Sequence, residues 1–131
     1  GARRPHCIAV TQLTSTSEQM LRDELWIARP MEETVLHYAE LAKESGLDGV
    51  VCSAKEVPLI REHFGETFVT VTPGIRFADE AKGDQVRVVT PAEARKLGAN
   101  FIVVGRSITR ALDPYAAYER LQWEWNGGEG R

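Results

Sequence analysis

The chain has 131 residues, of which 43% are hydrophobic and 27% charged, with a formal net charge of −3. This composition is typical of a folded globular domain and excludes a disordered polypeptide. No basic block is longer than a pair such as Arg3-Arg4, which argues against general nucleic-acid binding because that requires a contiguous positive surface. No apolar run reaches the roughly 18 residues that cross a bilayer, so we expect no membrane segment and no signal peptide.

The cysteines and histidines do not form a metal-binding pattern. Cys7 and Cys52 each lie in or beside a predicted buried strand, which favours small core residues in a reducing cytoplasm over a disulfide or a metal pair. His6, His37 and His63 are widely separated and do not have zinc-ligand spacing. We therefore expect a cytoplasmic protein that holds no metal and no cofactor. The chain begins with glycine rather than methionine, so we expect it to be processed or part of something longer.

Short apolar, β-branched runs alternate with segments of helical periodicity. The runs are predicted strands at 7–11, 48–53, 68–72 and 101–104. The predicted helices occupy 15–29, 32–44, 54–63, 90–98 and 113–125. Four strand-then-helix units in a row predict an α/β fold with a parallel sheet, and ligands of such sheets bind at the carboxyl ends of the strands.

Several predicted helices have recognisable starts. The pairs with capping-box character are Ser15 with Glu18, Ser53 with Glu56, and Thr90 with Glu93. After the first of these, Leu21, Leu25 and Ala28 recur at helical spacing as far as Pro30. For Thr14, both a hydrogen bond to a ligand and a helix-capping role remain open.

The third and fourth predicted strands each end in glycine and arginine. Pro73 and Gly74 follow the third strand with Arg76 two positions later, and Gly105 and Arg106 follow the fourth. Backbone N–H groups freed by glycines, together with two guanidinium groups, are what a phosphate dianion requires. Barrel enzymes often hold phosphate between their last two loops, so the chain is predicted to be the second half of an eight-stranded barrel. The alternative for Arg106 is a surface salt bridge.

The connection over 73–90 is far longer than the roughly 2 to 6 residues usual after a strand of this kind. Its many charged residues indicate that it does not serve to fill a core, so a mobile lid over a ligand is predicted, with a solvated insertion as the alternative. Within it, the acidic residues and the lysine of 79–84 have no buried run beside them to shift a pKa. That segment is predicted to be a solvated charge run.

These segments together resemble the orotidine 5'-monophosphate decarboxylase family of the bacterial type. The resemblance rests on AVTQLTSTS at 9–17, VTPGIR at 71–76, GDQ at 83–85 and VVGRSIT at 103–109, in the right order over nearly the whole chain. It implies that residues 1–131 form one segment, the C-terminal half (strands five to eight) of a (β/α)8 TIM barrel, with the N-terminal half absent.

The resemblance also implies which residues bind the substrate. Thr14 would contact the pyrimidine ring and Pro73 would line the base pocket. The phosphate would be held with the help of Arg76, Gln85, Gly105 and Arg106, with Gln85 bridging phosphate and base.

The family's catalytic pattern is missing from this chain. That pattern is D-x-K-x-x-D plus a further lysine on the first half of the barrel, with one aspartate supplied by the partner subunit of a homodimer. The resemblance therefore implies that this chain binds the nucleotide, orotidine or uridine monophosphate, holds no catalytic residue and is inactive alone. The alternative is a non-catalytic half-barrel that binds phosphorylated ligands. A third possibility is a related hexulose-phosphate synthase, but the TQLTSTS segment and the glutamine-bearing loop argue against it.

A half-barrel has two open edges. Its first and fourth strands would be unpaired, and the inner face of its sheet would be exposed apolar surface. We therefore expect the chain to pair with its other half or with a second copy.

Overall fold

The computed structural model describes residues 3–80 and 89–128. Its strands form one parallel sheet in the order β1-β2-β3-β4, namely β1 (Ile8–Val10), β2 (Gly49–Val51), β3 (Val69–Thr72) and β4 (Phe101–Ile102). The helices are α1 (Glu18–Asp23), α2 (Met31–Glu44), α3 (Val57–Phe64), α4 (Pro91–Leu97), α5 (Arg106–Thr109) and α6 (Pro114–Trp125). Each strand pairs with its neighbour in sequence, which confirms the predicted parallel α/β architecture.

The two faces of the sheet have different surroundings. On one face Val50, Thr70 and Thr72 are fully buried, and the core that covers them is built from helical side chains such as Val35 and Ile60. Alternate strand residues point to opposite faces, so all the residues in register with Val51 lie on the other face.

That other face is a continuous apolar row without a cover in the described part of the chain. The register aligns Val10 with Val51, Val51 with Val71, and Val71 with Phe101. Val10 and Phe101, at the two ends of the row, are 57% and 58% exposed. The open edges at β1 and β4 and the exposed apolar face are therefore confirmed.

Capping explains where most helices begin. Thr90 accepts from the Glu93 N–H while the Glu93 carboxylate accepts from the Thr90 N–H, as predicted. The Ser53–Glu56 capping box is also present, and it begins a 3-10 turn at Ala54–Glu56 that leads into α3. Pro58 lies in the first turn of α3, where its missing N–H has no helical partner to lose.

The prediction for the first helix is wrong at both ends. Ser17, not Ser15, caps α1, and its hydroxyl accepts from the Met20 N–H. The chain leaves the helix after Asp23, and Trp26 has a left-handed backbone with φ of 56°. Leu25, which was predicted to lie on the buried helical stripe, is exposed. Apolar residues at helical spacing continue in the sequence past Asp23, where the helix ends and the chain enters the tight turn at Trp26.

No helix among the described residues combines the length and the hydrophobicity that crossing a membrane would demand.

Candidate functional site

All the candidate site residues that the structure describes lie at the carboxyl end of the sheet. Thr14 follows β1, Pro73 and Arg76 follow β3, and Gly105 and Arg106 follow β4. Gln85 lies outside the described residues, and the lid prediction for 73–90 concerns a segment of which only 73–80 and 89–90 are described. Both stay predictions.

Thr14 packs against the turn that follows β3. Gly74 has a left-handed backbone with φ of 77°, and a Cβ built on it would lie 3.2 Å from Thr14 Cγ2 and 3.3 Å from Thr14 Oγ1. Only glycine combines this backbone with so close a neighbour. Thr14 does not cap α1, because Ser17 does. The structure thus brings the end of β1 against the Pro73-Gly74 turn, and a ligand role for Thr14 stays a prediction.

The first part of the long loop is packed into the protein. Ile75 and Phe77 are buried, and Ile75 forms an isolated parallel bridge with Val89 at the other end of the loop. The prediction that this connection does not fill a core is therefore wrong for its first residues. Burial of the Ile75 and Phe77 side chains holds the start of this otherwise polar loop against the protein.

Arg76, between these two residues, carries a buried charge with little compensation. The residue is only 9% exposed. Among residues 3–80 and 89–128, its guanidinium has one hydrogen bond, a long one of 3.4 Å to the carbonyl of its neighbour Ile75, and no ion pair. Burial of a cation without a counter-charge costs on the order of several kcal/mol. An anion that reached this guanidinium would therefore be strongly stabilised.

Gly105 and Arg106 form the corresponding element after β4. A Cβ built on Gly105 would meet no atom within 4 Å, so the backbone here faces open space that a ligand can enter. Arg106 begins α5 and lines a cavity of about 390 Å³. The other residues of the cavity wall come from the loop after β3, from α5 and the residues directly after it, and from α6; they are Phe77, Glu80, Ser107, Arg110, Ala111, Ala116, Ala117 and Arg120.

Glu80 joins the loop to α5. Its Oε2 accepts a hydrogen bond of 2.6 Å from the Ser107 hydroxyl and one of 2.7 Å from the Phe77 N–H. The Glu80 N–H in turn donates to the Phe77 carbonyl over 3.1 Å. The segment from Phe77 to Glu80 is therefore a closed turn tied to the residue that follows Arg106.

Arg120 joins the same turn to α6. Its guanidinium donates to both carboxylate oxygens of Asp79, at 2.9 and 3.3 Å, and to Glu124 at 3.0 Å. It also lies 4.0 Å above the centroid of the Phe77 ring. The hydrogen bond from Arg120 lowers the pKa of Asp79 below its ordinary value, and the same bond raises the pKa of Arg120.

Asp79 is solvent-exposed, as the predicted charge run requires, but distant residues engage its carboxylate and that of the half-buried Glu80. Residues 81–84 lie outside the described residues. Sequence reasoning also missed Ser107 and Arg120. Their partners are 27 and 41 positions away, and no local spacing indicates such pairs.

The glycine backbone and the two arginines at this end of the sheet can bind an anion. Within the part of the chain that the structure describes, the carboxylates of Asp79 and Glu80 accept hydrogen bonds from the protein, and Arg76 has no ion pair. Among the residues that the structure describes, no group of three or more histidine, cysteine, aspartate or glutamate side chains could hold a metal ion.

Residues 1–121 match the model of the "Orotidine 5'-phosphate decarboxylase / HUMPS family". The chain is 81% identical over 129 residues to an orotidine 5'-phosphate decarboxylase of Geobacillus sp. strain WCH70, covering 98% of this chain and 54% of that protein. It is 70% identical to the enzyme of the same name from Bacillus caldolyticus, covering 98% and 53%.

Solved structures agree with these sequence relationships. The crystal structure of orotidine 5'-phosphate decarboxylase from Lactobacillus acidophilus superposes with a TM-score of 0.78 at 46% identity, covering 97% of this chain and 52% of that one. An uncharacterized conserved protein from Geobacillus kaustophilus superposes with a TM-score of 0.75 at 58% identity, covering 96% and 51%. The chain spans about half the length of the relatives it matches, and the motifs predicted both the family and the half-length correspondence. The chain belongs to the orotidine 5'-phosphate decarboxylase / HUMPS family and corresponds to the C-terminal half of the bacterial-type members.

Proposed function

We propose that this chain is the substrate-binding half of an orotidine 5'-phosphate decarboxylase, which converts orotidine monophosphate to uridine monophosphate and carbon dioxide in pyrimidine biosynthesis. The observation that carries the proposal is Arg76, a residue that is nine-tenths buried and whose guanidinium has no counter-charge among the described residues. A nucleotide phosphate would supply that charge. Each charge-assisted hydrogen bond that it accepted would contribute roughly 1.5–3 kcal/mol.

Two further features support the binding of a phosphate and its attached base. The backbone at Gly105 faces open space, so a phosphate can approach its N–H and the Arg106 side chain. Thr14 and the Pro73-Gly74 turn lie against each other at the same carboxyl end of the sheet, where a pyrimidine ring would rest. In this proposal Thr14 and Pro73 contact the base, and Arg76, Gly105 and Arg106 hold the phosphate.

The chemistry of decarboxylation requires groups that this chain does not offer. The D-x-K-x-x-D pattern is absent from the sequence. We propose that the lysine and aspartate array comes from a complementary half of the barrel, and that residues 1–131 act as one half of a single barrel domain. Binding energy from the phosphate would lower the barrier only once those groups are in place.

The uncovered sheet face supports the pairing of two halves. The row from Val10 to Phe101 is apolar and open at both edges, and the relatives are about twice as long as this chain. A second set of four parallel strands would close both edges and bury the row. The assembled barrel would work as a cytoplasmic homodimer.

Calorimetric titration tests the binding proposal. Uridine 5'-monophosphate should bind measurably more tightly than uridine, and Arg76→Met should remove that difference. Arg29→Met is the matched control, because Arg29 is exposed and pairs with Glu33 one helical turn away. Equal affinity for uridine and its monophosphate in the unaltered chain would overturn the proposal.

Release of carbon dioxide tests the division of labour. The chain alone should release none from orotidine monophosphate, and addition of the complementary half from a relative should restore turnover. Turnover by the isolated chain would show that the catalytic groups are not on the other half. Binding without any restored turnover would favour the alternative, a half-barrel that binds phosphorylated ligands without catalysis.

A further inference from the structure

We propose that Glu80 and Arg120 are positioning residues that set the spacing between Arg76 and Arg106. The inference rests on the proposed function, in which both arginines hold one phosphate. It assigns a role to two side chains that would not touch the ligand. What they hold in place is the backbone next to each phosphate-binding arginine.

The first link runs through Glu80. Phe77 directly follows Arg76, and Ser107 directly follows Arg106. One carboxylate oxygen, Glu80 Oε2, accepts hydrogen bonds from both the Phe77 N–H and the Ser107 hydroxyl. A single atom therefore connects the neighbours of the two arginines, across 30 positions of sequence.

The second link runs through Arg120. Its guanidinium holds Asp79 with two hydrogen bonds and covers the buried Phe77 ring, while Glu124 holds the guanidinium from the same helix. The planar fork of arginine can form the two-pronged bond and the ring contact at once, which lysine cannot. The turn that follows Arg76 is thus fixed to α6 as well as to α5.

The exposure of these groups argues that the links do more than stabilise the fold. The Arg120 and Asp79 side chains are 35% and 70% exposed. An ion pair with that exposure adds little to folding stability, because water competes for both partners. Two anion-binding groups held at a fixed distance, by contrast, lose less freedom when the ligand binds, so the effect of the links should appear in affinity.

The first test compares two arginines of the same cavity. Arg120→Gln removes the link, whereas Arg110→Gln removes the same charge from the same cavity wall and leaves the links to Asp79 and Phe77 intact. The readout is the affinity ratio of uridine 5'-monophosphate to uridine, measured by titration calorimetry. We expect the ratio to fall on the order of tenfold in Arg120→Gln, the size of one lost charged hydrogen bond. In Arg110→Gln we expect it to fall by less than about twofold, because the links that hold the turn after Arg76 remain.

Two more variants separate positioning from charge. Arg120→Lys keeps the charge and should behave like Arg120→Gln, because the fork and the ring contact are lost. Glu80→Gln should also lower the ratio, with uridine affinity and melting temperature nearly unchanged. The positioning role would be overturned if Arg120→Gln, Arg120→Lys and Glu80→Gln changed the affinity ratio no more than Arg110→Gln does. It would also be overturned if these variants weakened uridine binding as much as uridine 5'-monophosphate binding.

The second test needs no ligand. Hydrogen exchange of the Phe77 and Glu80 amides, both bonded within the clamped turn, should accelerate in Arg120→Gln and stay unchanged in Arg110→Gln. Absence of phosphate-dependent binding in the unaltered chain would refute the proposed function, and the exchange rates would still decide whether Arg120 holds the turn. Unchanged exchange in Arg120→Gln would refute the clamp by itself.

Discussion

Two arginines at opposite ends of the sheet differ in how their charges are accommodated. Arg61, at the amino end, donates to the carbonyls of Phe68 and Gly98 and to Asn100 Oδ1, and it approaches Thr70 Oγ1 at 3.4 Å. Arg76, at the carboxyl end, is buried yet has one weak bond to an adjacent carbonyl within the described residues. The hydrogen bonds of Arg61 are made within the fold, whereas Arg76 uses little of its hydrogen-bonding capacity among the described residues.

The difference extends to the surroundings of each arginine. At the amino end, Asn100 Oδ1 also accepts from the Thr70 N–H, and Arg4 pairs with Asp48 through two hydrogen bonds. At the carboxyl end, glycine backbone faces open space beside Arg106. Parallel barrels generally place stability at the amino ends of their strands and ligand binding at the carboxyl ends, and the proposed roles of the two arginines correspond to that division.

The largest expected effect is on stability at the amino end. Arg61→Met should lower the free energy of unfolding by roughly 2–3 kcal/mol, because several carbonyl groups and Asn100 lose a charged donor at once. Urea denaturation measures this, with Arg29→Met as the exposed control. The ratio of uridine 5'-monophosphate to uridine affinity should not change in the folded fraction. A stability loss as small as in the control would mean that Arg61 is as dispensable as a surface residue.

The opposite result is expected at the carboxyl end. Arg76→Met should leave the ligand-free chain as stable as before or raise its free energy of unfolding by about 1 kcal/mol, because a buried charge with no ion-pair partner among the described residues is replaced by an apolar side chain of similar length. The same urea experiment decides this. If Arg76→Met destabilised the chain as much as Arg61→Met, Arg76 would have to be counted as part of the scaffold and the contrast would fail.

Local patterns predicted most of the fold. The four strands follow from short β-branched runs, and α4 begins where Thr90, Pro91 and Glu93 indicate it. These signals act over a few residues and need no tertiary information. The same kind of signal misled at α1, where Leu25 continued a helical spacing although the helix ends at Asp23.

The site was predicted only in part, for a physical reason. Glycines and arginines directly after the strands indicated the carboxyl-end position of Arg76 and Arg106, since strand direction fixes where such residues must lie. The bonds that fix these residues in place connect Glu80 to Ser107 and Asp79 to Arg120. Such pairs depend on how loop and helices pack, which no spacing in the sequence encodes.

The smallest expected effect concerns two carboxylates, one at each end of the sheet. The pKa of Asp48 is lowered mainly by the Cys7 N–H, which donates to it over 2.7 Å, and further by Arg4; that of Asp79 is lowered mainly by Arg120. Both folded-state values lie below the ordinary 3.8. Each carboxylate therefore stabilises the fold above about pH 4, and that contribution is lost as the pH falls through the lowered value.

The two shifts should respond differently to mutation. Carboxyl titration by NMR should show the pKa of Asp79 returning towards its ordinary value in Arg120→Gln, because its largest cause is removed. Asp48 should keep most of its shift in Arg4→Gln, because the backbone N–H of Cys7 remains. A full return of the Asp48 pKa in Arg4→Gln would mean that the Arg4–Asp48 side-chain pair, not the Cys7 N–H that precedes β1, causes the shift at the amino end. The contrast between a scaffold fixed by backbone and a site fixed by side chains would then no longer hold.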